Sequence, residues 1–211
     1  MKTLIFLISL LASCTSITAF VIYNIKHIFQ DTNPNLVSWF LWSGLAILNF
    51  LSYNSMSENF IISLLSLAGS IMCSFTFVVY VIKGIITKKG SFKLDKVEYL
   101  VFIIGMLAII IWALTKFVWS LEENKSAMWT NFLILFAVSL GFITTYRGVL
   151  KSPKNEPFLP WFIWSIAFFL QIIVVILAWD GKFQNFAYPV SMTVLHLGVA
   201  LISFKNKQLT I

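Results

Sequence analysis

The chain has 211 residues, 59% of them hydrophobic and 11% charged, with a mean hydropathy of +0.90 and a net charge of +7. Soluble domains are nearer half apolar and a quarter charged, so a water-soluble fold of this length could not hide so much apolar surface and lipid must cover it. The positive charge does not read as a nucleic-acid surface, because the lysines fall between apolar segments rather than along one basic face.

A bilayer core takes about 20 apolar residues per helix, and seven segments qualify: Thr3–Ile28, Leu36–Tyr53, Phe60–Ile82, Tyr99–Trp119, Trp129–Val149, Leu159–Trp179 and Phe186–Phe204. A membrane β-barrel would alternate with period two. These runs are apolar nearly all round, so the expected fold class is all-α. The first segment also looks like a lipoprotein signal, with Leu11-Ala12-Ser13-Cys14 as the cleavage site. Apolar character continues through Ala19-Phe20-Val21-Ile22-Tyr23 without a polar spacer, which favours an uncleaved helix. Cys14 and Cys73 show neither pairing nor metal spacing. The polar breaks carry turn chemistry. Asp31–Asn35 separates the first two segments, Lys88–Ser91 follows the third, and Ser152–Pro157 separates the fifth from the sixth. Pro34 and Pro157 read as helix-start signals, where a missing N–H costs nothing.

Lysine and arginine counts predict orientation. With the N-terminus outside, the outer side carries Lys2, Lys116, Lys125 and Lys182, against eleven basic residues on the other side. The richer side is expected to be cytoplasmic, giving N-out and C-in. The abundant Ile, Lys, Asn and Phe are compatible with an AT-rich bacterial genome, hence a bacterial inner membrane.

The sequence repeats itself at an offset of 122 residues: Trp39-Phe40-Leu41-Trp42-Ser43 returns as Trp161-Phe162-Ile163-Trp164-Ser165. The same offset pairs Asn49 with Gln171 and Lys83 with Lys205. Helices one to three thus match helices five to seven, and a fourth helix restores the starting side, so the two units are parallel repeats. The expected division is a first repeat over 1–83, a linker helix with its loops over 84–124, a second repeat over 125–205 and a short tail over 206–211.

This 3+1+3 order, with Ser38 leading into Trp39, Trp42, Asn49 and Tyr53, resembles the PQ-loop superfamily, which includes the SWEET sugar transporters. At the Pro-Gln positions this chain has Tyr23-Asn24 and Thr145-Tyr146. The resemblance implies a substrate flanked by a Trp pair on the second and sixth helices, here Trp42 and Trp164. It also implies pocket positions on the third and seventh helices, which fall at Ser66 and Tyr188. Neither is the Asn that SWEET-like carriers use there.

Depth along the helices sorts the remaining candidates. Trp39, Trp119, Trp129, Trp161 and Trp179 lie near segment ends, as interfacial anchors do. Trp42 and Trp164 lie one turn deeper, either in a cavity wall or in helix packing. Asn49 and Gln171 sit about 20 Å along their helices, where an amide must find a partner. That partner is either another helix or a central cavity. His196 is an ionisable group at membrane depth, a functional-site hypothesis by default, with a backbone-bonded neutral ring as the other reading. His27, beside Lys26 at the cytoplasmic end of helix one, is expected to be solvated or at the headgroups. Tyr188-Pro189 is expected to loosen helix seven, and Gly69-Ser70 and Ser191 to permit close helix approach. No acidic residue falls clearly inside a helix, and no metal, nucleophile or phosphate motif appears. Neither an enzyme nor a resident cofactor is therefore expected.

The function expected is a small-solute transporter for an uncharged or weakly polar substrate, such as a sugar or an amino-acid-like metabolite, working by alternating access. Its site would be Trp42, Asn49, Tyr53, Ser66, Trp164, Gln171, Tyr188 and His196. A non-transporting receptor or accessory protein on the same fold is the alternative. The partners implied are a small-molecule solute and the lipid bilayer, with a homo-oligomer left open and no nucleic acid.

Overall fold

The computed structural model describes residues 1–29, 36–87, 96–117, 123–152 and 156–208. Pro34 and Trp119 lie outside them. The described residues form α1 (Lys2–Phe29), α2 (Leu36–Ser57), α3 (Phe60–Thr87), α4 (Lys96–Phe117), α5 (Glu123–Lys151), α6 (Phe158–Leu177) and α7 (Ala187–Gln208), with a short 3-10 turn (Phe183–Phe186) before α7. Among the described residues, six helices, α1 and α3 to α7, are long and apolar enough to cross a membrane. The protein is an all-helical, membrane-embedded chain. Pro157 is the N-cap residue of α6, in an extended conformation.

Along its first five turns α1 buries mostly small residues and exposes large ones. On α1 the buried positions Ser9, Ala12, Ser13, Ser16 and Ala19 recur every three or four residues, while Leu4, Leu7, Leu11 and Ile25 are exposed. Lipid tails are as apolar as leucine, so large side chains gain little by turning inward, whereas small ones let backbones approach. The buried hydroxyls are satisfied locally or across the contact. Ser13 Oγ donates to the Ser9 carbonyl at 2.9 Å and Ser9 Oγ to the Ile61 carbonyl of α3 at 2.6 Å.

α1 packs on α3 and α6, while α2 packs on α3, α5 and α4. α7 packs on α6 and α5, and α4 packs on α5 and, less closely, on α2. Tyr188-Pro189 falls in the first turn of α7. The first turn of a helix has no intrahelical partners for its N–H groups, so the proline does not loosen α7 as its sequence position suggests.

Candidate functional site

A cavity of about 60 Å³ lies where α1, α2, α3, α5, α6 and α7 converge. A single water needs roughly 10–15 Å³ by this measure, so there is room for several waters or a compact solute. Of the eight residues expected from sequence, five line it: Trp42, Asn49, Trp164, Tyr188 and His196. Tyr53, Ser66 and Gln171 do not.

Those three are committed elsewhere. Tyr53 donates its hydroxyl to the Asn185 carbonyl at 2.8 Å, Ser66 Oγ bonds back to the Ser63 carbonyl at 2.8 Å, and Gln171 Nε2 donates to the Ile62 carbonyl of α3 at 2.5 Å. Gln171 thus ties α6 to α3 rather than facing the cavity. Asn49 meets a side chain instead, Asn131 of α5. The residue 122 positions before Asn131 is Ser9, whose hydroxyl is given to the Ile61 carbonyl of α3, and Gln171 takes the adjacent Ile62 carbonyl. The repeat offset finds equivalent positions without guaranteeing equivalent partners.

The hydrogen-bond chain fixes the orientation of Asn49. Ser52 Oγ donates to the Asn49 carbonyl at 3.2 Å and so accepts from Asn131 Nδ2 at 3.3 Å. The same Asn131 Nδ2 donates to Asn49 Oδ1 at 3.0 Å. Asn49 Nδ2 is left buried with no acceptor. His196 Nδ1 lies 2.7 Å from the Met192 carbonyl. A carbonyl only accepts, so Nδ1 carries the hydrogen and Nε2 of the neutral ring keeps a lone pair.

Aromatic rings form the walls. Phe20 meets Trp164 edge-on at 4.7 Å between centroids, and Phe142 lies 5.1 Å from Trp42. The indole edge of Trp42 lies against Gly141, where an added Cβ would fall 2.6 Å from Nε1. Gly69 behaves differently: a Cβ there meets nothing within 4 Å. Its missing side chain opens the cavity and does not serve a helix contact. Gly69→Ala is therefore expected to stabilise the protein by about 0.5–1 kcal/mol, the usual gain for removing a mid-helix glycine. Gly69→Leu is expected to stay folded while filling the cavity. Thermal unfolding in nanodiscs, alongside a ligand-binding assay, checks both.

A second polar cluster sits past the cavity, at the end of α1, and sequence reading missed it. Glu156, in the turn before α6, is buried. Its carboxylate accepts from the Tyr23 hydroxyl at 2.9 and 3.2 Å and from Trp161 Nε1 at 2.9 Å. Burial pushes its pKa up from 4.5 to about 7, against the opposing pull of the Trp161 and Tyr23 hydrogen bonds. Trp39 and Trp161 belong to the same cluster: they are 2% and 0% exposed and are not lipid-facing anchors. Counting residues gives depth along a helix, not the face. Trp129 and Trp179 are exposed, as an interfacial belt requires. His27 is also buried, with its ring 3.7 Å from that of Tyr80 and its carbonyl accepting from Lys83 Nζ. It is not solvated at the headgroups.

Towards the end of α1, Tyr23 holds Glu156, and Asn24 Nδ2 donates to Thr76 of α3 at 2.8 Å and to the Phe20 carbonyl. Among the described residues no three His, Cys, Asp or Glu side chains come together as metal ligands. No family model matches the chain, and no curated protein and no solved structure does either.

Proposed function

We propose that the protein is a membrane carrier for a small, uncharged solute, built as two parallel three-helix repeats joined by α4 and working by alternating access. In this reading α2 also crosses the bilayer: its 22 residues extend about 33 Å at 1.5 Å per residue. The orientation is N-out and C-in, in a bacterial inner membrane. The affinity to the PQ-loop and SWEET-like carriers is part of the proposal.

The observation that carries it is the exchange of partners across the cavity. Phe20 and Phe142 are 122 residues apart, as are Trp42 and Trp164. Each Phe packs on the Trp of the other half. The helix contacts follow the same exchange, α1 on α6 and α2 on α5. A cavity walled by such exchanged pairs lies between the halves, where rocking of one against the other would open it to either side.

The test is uptake into proteoliposomes, screened over radiolabelled neutral metabolites. Saturable flux is expected, falling at least about tenfold, or 1.4 kcal/mol, in Trp42→Ala and in Asn49→Ala. Wild-type flux in both variants removes the site.

One observation favours a non-cycling receptor on the same fold: α1 is unbroken from Lys2 to Phe29, and Tyr23 and Asn24 anchor it where the hinge proline of SWEET-like carriers would stand. A partner recovered from native membrane, with no solute raising the unfolding temperature, would favour that reading.

A further inference from the structure

Three residues of the cavity wall hold a buried N–H with no acceptor among the described residues: Asn49 Nδ2, Trp164 Nε1 and Trp42 Nε1. Trp42 Nε1 lies against Gly141, which leaves Asn49 and Trp164 as the donors for a ligand. Acceptors are scarcer. Asn49 Oδ1 is taken by Asn131, and His196 Nδ1–H is taken by the Met192 carbonyl. His196 Nε2 has no partner among the described residues. The Tyr188 and Ser16 hydroxyls, both on the wall, can donate or accept, so His196 Nε2 is the one pure acceptor left against three pure donors among the described residues. Among the described residues no Lys, Arg, Asp or Glu lines the space.

These counts discriminate between ligand classes. A buried donor without an acceptor carries a desolvation cost that a ligand can relieve. A ligand hydroxyl brings a donor of its own, and this wall offers few places for it. A charged ligand would give up its hydration with no opposite charge to meet. The rings of Phe20, Phe142 and Phe168 line the space, and aromatic walls suit a flat, conjugated molecule.

We infer that the cavity takes a neutral, flat, acceptor-rich solute, one presenting carbonyl-type oxygens or ring nitrogens and at most one donor. This rests on the cavity being the solute site, and it narrows the substrate away from polyols and sugars and from organic cations.

The test uses the purified full chain in nanodiscs and four probes: N-methyl-2-pyridone (acceptor only), toluene (no polar atom), benzylammonium (cation) and erythritol (polyol). Binding is read by calorimetry and by quenching of tryptophan fluorescence. N-methyl-2-pyridone is expected to bind best, by about tenfold over toluene, the ratio worth one net hydrogen bond. That ratio is expected to collapse towards one in Trp164→Phe, which keeps a ring and loses the N–H. Retained toluene binding in the variant shows that its cavity is intact, and the wild-type ranking does not depend on the variant. The inference is overturned if toluene equals N-methyl-2-pyridone, if erythritol or benzylammonium binds best, or if no probe binds. Binding in this order without proteoliposome flux removes transport and keeps the ligand class. Saturable flux of erythritol or benzylammonium keeps transport and removes the ligand class.

Discussion

Wild-type protein in nanodiscs should become less stable as pH rises from about 5 to 8, and Glu156→Gln should remove most of that slope. The sign follows from burial, which raises the carboxyl from 4.5 to about 7 in the folded chain. Below the lower value the acid is neutral folded and unfolded, and its full contribution is present. Between the two values the unfolded chain gives up its proton while the folded chain keeps it, so stability falls with pH. Above the upper value both forms are ionised and the loss is complete. At about 1.4 kcal/mol per pKa unit the loss is of order 3 kcal/mol. For a chain of this size that corresponds to roughly 2–4 °C in Tm per kcal/mol. The amide keeps an acceptor for Tyr23 and Trp161 and carries no charge. The difference between the two proteins isolates Glu156 from every other titrating group. Parallel Tm-against-pH curves would show that Glu156 is not buried as described.

Trp161→Ala should be the most damaging single truncation in the aromatic cluster. Trp161 is fully buried and its ring meets those of Tyr23, Trp42, Phe142, Trp164 and His196. In water-soluble cores Trp→Ala costs about 3–5 kcal/mol, through transfer and cavity contributions together. Here the unfolded reference lies partly in lipid, which weakens the transfer contribution, so about 2–4 kcal/mol is expected. Trp161→Phe should cost less, keeping a ring while losing the bond to Glu156 and part of the buried ring area. Its effect and that of Glu156→Ala, which removes the acceptor, should then be non-additive by about 0.5 kcal/mol or more, as for residues that share one hydrogen bond. Strict additivity in chemical denaturation would mean that the Trp161–Glu156 bond contributes nothing.

The helices were legible because lipid imposes a length and an apolar character on each span. The boundaries shifted where helices run past the apolar stretch, as α3 does to Thr87 and α5 from Glu123 to Lys151. The repeat offset led to Trp42, Trp164 and Asn49. It misled at Gln171, because a shared position does not supply a shared neighbour. Glu156 was illegible for a different reason. It stands between two prolines in a polar stretch, and only the return of the chain against Tyr23 buries it. The inward turn of Trp39 and Trp161 was hidden likewise, since sequence gives their height in the membrane and not their facing.

The pairing of Tyr23 with Glu156 spans 133 residues. At ribosomal rates of about 5–20 residues per second, roughly 7 to 27 seconds separate the two residues during synthesis. Throughout that interval the Tyr23 hydroxyl has been made and its carboxylate has not. The first three helices therefore enter the bilayer with their inward polar face incomplete, and assembly of the protein must wait for its sixth.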